Sequence, residues 1–78
     1  MNIVELRPEE LGRFIHATMK KKNITYRQMR DESGITSATI IRTKNGENIP
    51  RLDTLQHIMD YFGYELKISI KRREEDVY

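Results

Sequence analysis

Asn23, Gly34, the Asn45-Gly46 pair and Gly63 cut the chain into short segments of helical periodicity, and this punctuation constrains the fold more than any other feature. Gly and Asn enter the left-handed backbone that ends a helix at little steric cost. Helices this short are marginal alone, so each must bury one face against the others. The first opens on Arg7-Pro8-Glu9-Glu10, where Pro lacks only an N–H that a helix start leaves unused and the carboxylates meet the positive end of the dipole. Leu11, Phe14, Ile15, Thr18 and Met19 then recur at helical spacing, up to about Lys22. The second helix runs from Tyr26 to Ser33, with Thr25 and Gln28 spaced as a capping box and a thin apolar face of Met29 and Tyr26. Ile35 belongs to the buried side of the turn that follows, and Thr36 or Ser37 caps a third helix through Ala38, Ile40 and Lys44. Glu47-Asn48-Ile49-Pro50 is extended, because a residue before Pro is pushed out of the helical region. Leu52, Leu55, Ile58, Met59 and Phe62 mark a fourth helix that supplies much of the core.

Beyond Gly63 the period changes. Leu66, Ile68 and Ile70 alternate with Lys67, Ser69 and Lys71, which predicts a C-terminal β-strand over 64–71. A lone strand leaves its N–H and C=O groups unpaired. It must pair either with Ile3-Val4-Glu5-Leu6 of the same chain or with the same strand of a second copy. The tail over 72–78 is expected to be mobile. The expected fold class is mainly α: four helices plus a C-terminal β-strand, in one domain over 1–78 with its helical core at 10–66.

With 78 residues and no Cys, the chain has one small core, no disulfide framework and no thiolate metal site. The mean hydropathy of −0.72 and the lack of a long apolar run predict a soluble cytoplasmic protein with no membrane segment. The net charge of only +2 says little about partners, but its distribution does. Between residues 20 and 51, Lys20, Lys21, Lys22, Arg27, Arg30, Arg42, Lys44 and Arg51 face only Asp31, Glu32 and Glu47, an excess of +5. Such asymmetry is the footprint of a surface for a polyanion, or else a solvated helix face.

Two short helices around a Gly-containing turn, the second rich in small polar residues, describe a helix-turn-helix. The run from Thr25 through Gly34, Ile35 and Ile40 to Gly46, with Pro50, Leu52 and Leu55 opening the fourth helix and Phe62-Gly63 ending it, resembles lambda-repressor-like regulators of the Cro/cI (XRE) family. The resemblance covers about residues 10 to 66. It implies that helix three enters the major groove and helix two lies across the DNA backbone. Ser37, Ala38, Ile41 and Arg42 would then face base edges. Arg42 is the sharpest reader, since a guanidinium fork can bond both acceptors of a guanine, with a phosphate contact as the alternative. Ile41 is expected to be exposed and to need a partner surface, or to be partly buried if the helix is rotated; Ile40 faces inward. Thr25, Arg27, Gln28, Thr36, Thr39, Lys44 and Asn45 would sit near phosphates, fixing register without reading sequence.

Three positions depart from the family pattern. Tyr26 stands where Gln is common, Arg30 where a small Ala is usual, and Met19 with Lys44 where an Arg and a Glu often pair. Arg30 implies a wider helix pair or a side chain that snorkels outward. Losing both ionic partners together avoids a lone buried charge and leaves Lys44 available to phosphate.

No enzymatic constellation is present in the sequence. His16 and His57 have no companions at metal-ligand spacing, Ser33, Ser37 and Ser69 have no evident base, and there is no Gly-rich phosphate loop. No cofactor is expected. The partners implied are double-stranded DNA and a second copy of the chain, joined through Leu66, Ile68 and Ile70 in an arrangement that resembles HipB-type antitoxins. The expected function is a dimeric, sequence-specific transcriptional repressor; the alternative is an antitoxin that binds a toxin protein and represses its own operon.

Overall fold

The computed structural model describes residues 6–68 and contains four helices there, α1 (Pro8–Lys22), α2 (Tyr26–Ser33), α3 (Ser37–Lys44) and α4 (Leu52–Phe62). Each ends where the punctuation places it, and the hydrogen bonds show why. At Asn23, in the left-handed region at φ 56°, the amide donates to the Lys20 carbonyl and that of Ile24 to Met19. Gly63 repeats the pattern after α4, with its own amide on Asp60 and that of Tyr64 on Met59. After α3 the left-handed residue is Gly46, not Asn45, which stays right-handed at φ −79°. Gly46 and Glu47 donate back to Thr43 and Arg42. These are three Schellman ends, each pairing two carbonyls that the helix itself leaves open.

The turn after α2 is built differently. Gly34 donates to Arg30, while the Ser33 hydroxyl donates to the Met29 carbonyl at 2.5 Å and accepts the Ile35 amide at 3.1 Å. Ser33 thus satisfies one carbonyl and one amide and carries the chain into α3. Thr25 caps α2 by accepting the Gln28 amide at 3.1 Å, and Thr36, not Ser37, caps α3 by accepting that of Thr39 at 3.3 Å. Arg7 and Arg51, the residues that precede α1 and α4, make no side-chain cap bond. Asp53, in the first turn of α4, accepts the Thr54 amide and pairs with Arg51.

Leu11, Ile15 and Met19 of α1, Met29 of α2, Ile35, Ile40 of α3, and Leu55, Ile58, Met59 and Phe62 of α4 form the buried core. Leu52, the first residue of α4, is 55% exposed despite its helical register, and the buried core on this helix begins at Leu55. Gly12 sits where α1 crosses the end of α3. A Cβ there would stand 2.5 Å from the Lys44 carbonyl oxygen and 3.1 Å from the Gly46 nitrogen.

After Gly63 the described chain forms no strand. Tyr64 packs its ring 5.4 Å from that of Phe14, Leu66 is half-buried against the core, and Ile68 is 60% exposed. A strand requires a partner ladder, and no segment among the described residues supplies one. The rest of the expected strand, Ile70 included, the expected partner at Ile3 to Glu5 and the tail over 72–78 lie outside the described residues. Leu6 is 56% exposed. Among the described residues no helix is long and apolar enough to cross a membrane.

Candidate nucleic-acid interface

Burial of Ile40 and Thr43 fixes the rotation of α3. Both are 1% exposed, and the Thr43 hydroxyl is satisfied by the Thr39 carbonyl at 2.8 Å. At 3.6 residues per turn the opposite face is then Ala38, Ile41 and Arg42. All three are exposed, Ile41 by 38%, and Ser37 is half-buried on the flank. The alternation of buried and exposed positions thus gives an eight-residue helix one outward face with small, apolar and guanidinium groups side by side.

The residues expected near phosphates are placed differently from one another, and Thr39 is half-buried, its hydroxyl accepting from Thr36 and its carbonyl from Thr43. Arg27, Gln28 and Asn45 are exposed, and among the described residues their side chains have no hydrogen-bond partner. Thr25 and Thr36 are exposed too, but their oxygens hold the helix caps, and Thr36 also donates to the Thr39 hydroxyl at 2.9 Å. Lys44 is half-buried, with its ammonium 5.1 Å from the centroid of the Tyr26 ring. Two of the departures from the family pattern therefore meet each other. The third, Arg30, lies at the surface and pairs with Asp31 at 3.0 Å, so its side chain snorkels outward.

The charge pattern sharpens when pairs are counted. Arg30 and Arg51 are each bonded to a neighbouring Asp, whereas among the described residues no carboxylate comes within ion-pair distance of Arg27, Arg42 or Lys44. The hydrogen bonds from Arg51 and then from the Thr54 amide hold the Asp53 carboxyl below its usual range, and Asp53 holds the Arg51 guanidinium above its own. The basic charge left over among the described residues between 20 and 51 therefore lies on Arg27, Arg42 and Lys44 of the helix-turn-helix and on Lys20, Lys21 and Lys22 at the end of α1 beside it.

Several contacts that orient this unit are not visible in the sequence. His57 of α4 meets the Ser33 carbonyl at 2.6 Å, and since a carbonyl only accepts, Nε2 carries the proton. One turn further along α4, the Tyr61 hydroxyl donates to Glu32 at 2.6 Å. Burial first, then the bond to Glu32 and its charge, push the Tyr61 phenol up to about 12. These two bonds clasp the end of α2 to α4. Their only trace in the sequence is that His57 and Tyr61 are four residues apart on one helix face. Among the described residues no group of three His, Cys, Asp or Glu is placed to hold a metal ion.

Two short helices, α2 and α3, joined by the Gly34 turn and packed on α1 and α4, with one outward face on α3, form a helix-turn-helix domain. Residues 15–67 match the Cro/C1-type HTH DNA-binding domain, and the chain belongs to that family. It is a DNA-binding regulator. No curated protein matches the chain.

Proposed function

We propose that the protein is a sequence-specific repressor that binds its operator as a dimer, with α3 in the major groove. The outward face of α3 carries this reading. Arg42 takes the two acceptors of a guanine, Ile41 and Ala38 meet thymine methyl groups, and Ser37 bonds a neighbouring base edge. Arg27, Gln28, Thr39, Lys44 and Asn45 contact phosphates, and Thr25 and Thr36 do so through the helix starts they cap. Replacing guanines of a bound duplex one at a time by 7-deazaguanine tests the Arg42 contact. One position should lose affinity with the natural residue and none with Arg42→Ala; equal sensitivity of both proteins would refute it.

Two copies joined through Leu66, Ile68 and Ile70 place two α3 helices on half-sites about 34 Å apart. The 60% exposure of Ile68 supports this pairing. Sedimentation of the chain cut before Leu66 tests it, and a dimer that persists would exclude it. Repression follows from occupying a site that polymerase needs. The same exposed Ile68 would also suit a foreign protein, which is the basis of the antitoxin reading. A partner that co-purifies with the full chain and is lost on Ile68→Lys would favour that second reading.

A further inference from the structure

Lys44 closes α3 and Tyr26 opens α2, and their side chains bring those two helix ends together. Tyr26 is half-buried and packed against the core, so its ring is itself fixed. Lysine in water is a flexible, strongly hydrated point charge. An aromatic face attracts that charge and narrows the range of the stem. Among the described residues no carboxylate pairs with it. The difference has a consequence for binding. A carboxylate would orient the ammonium and cancel its charge, whereas a neutral ring orients it and leaves the charge whole. The other end of the residue is located as well, because α1 rests at Gly12 directly on the Lys44 carbonyl.

We propose that Tyr26 is a positioning residue for DNA binding, its ring holding the Lys44 ammonium as a preformed contact to one backbone phosphate. The proposal rests on the DNA-binding reading above and adds the means by which one cation is organised beforehand. The ring does the work and the hydroxyl does not, so Phe can replace Tyr while an aliphatic residue cannot. Lys44 would otherwise lose side-chain freedom on meeting a phosphate, and the ring removes much of that loss in the free protein.

Two measurements test it. In the free protein, NMR should find the Lys44 side-chain methylene protons shifted upfield of those of Lys20 and Lys21 in the natural chain and in Tyr26→Phe; Lys22 is no reference, because its ammonium lies 5.9 Å from the centroid of the Tyr64 ring. In Tyr26→Leu they should return to ordinary positions. Binding of a fluorescein-labelled duplex of mixed sequence, followed by anisotropy across a range of KCl concentrations, should give a salt slope smaller by about 0.9 in Lys44→Met, the value of one phosphate contact. Tyr26→Leu should bind more weakly than the natural chain and approach the Lys44→Met slope, Tyr26→Phe should match the natural chain, and the double variant should be no worse than Lys44→Met. Ordinary Lys44 shifts in the natural chain would overturn the proposal without any variant. So would a Tyr26→Leu protein, folded by circular dichroism, that keeps the natural affinity and slope. If the natural chain binds no duplex even at low salt, the DNA-binding reading fails and takes the proposal with it. That case is recognisable because the upfield shifts would still be present.

Discussion

Gly12 lies so close to Lys44 that a Cβ built on it would stand 2.5 Å from the Lys44 carbonyl oxygen. The atoms around it, that oxygen, the Gly46 nitrogen and the Thr43 oxygen, are all backbone and cannot swing aside. Inside a helix, replacing Gly with Ala ordinarily stabilises by about 1 kcal/mol. Here overpacking against backbone reverses the sign, and Gly12→Ala is expected to destabilise by about 1 to 3 kcal/mol. A urea midpoint that stays level or rises would show that α1 and α3 part without cost.

Ser33→Ala removes the hydroxyl that serves both the Met29 carbonyl and the Ile35 amide. The amide sits in the turn between α2 and α3, next to a buried Ile side chain. Leaving such a group without its partner costs about 1 to 3 kcal/mol. The expected result is a lower urea midpoint together with faster amide exchange at Ile35. Unchanged exchange at that amide would show that another group takes the place of Ser33.

Tyr61 links stability to alkaline pH. Its phenol is held at about 12 against an ordinary 10.0, so between those values the unfolded chain gives up a proton that the folded chain keeps. Stability from this group is whole below pH 10 and falls as the pH rises toward 12. Tyr61→Phe should lose about 0.5 to 1 kcal/mol at neutral pH through the missing bond to Glu32, with the lower figure favoured by its exposure. It should also decline less steeply across the alkaline window. Parallel alkaline declines in the two proteins would contradict the Tyr61–Glu32 bond.

These three sites mark where the sequence stops being legible. Helix ends are local events: Asn23, Gly34 and Gly63 announce a left-handed residue whatever surrounds them, and all four helices follow from that signal with the apolar spacing. Between Asn45 and Gly46 it is Gly46 that turns left-handed, as its lack of a Cβ favours, and what the local sequence does not encode is the close approach of Pro8 and Glu9 to it. Gly12 carries a weak sign, since Gly inside a helix needs a reason, but the reason is an element thirty-odd residues away. The meetings of Tyr26 with Lys44, Ser33 with His57 and Glu32 with Tyr61 depend on helix packing that periodicity does not specify. Leu52 shows the converse limit. Spacing says which face of a helix is apolar, not how far along the helix the core extends.

The exposure of Ala38, Ile41 and Arg42 is legible in the sequence, because burying Ile40 turns them to the opposite side of α3. The most direct test of sequence-specific binding is an anisotropy titration of a duplex from upstream of the protein's own gene beside a scrambled duplex of equal length. Both are run at low and near-physiological salt, with the natural chain and with Arg42→Ala. A sequence-specific regulator keeps its preference for the upstream duplex as salt rises, and loses about 1 to 3 kcal/mol of that preference with Arg42→Ala. Equal, salt-sensitive binding to both duplexes, or a preference that Arg42→Ala leaves intact, would contradict base reading by α3.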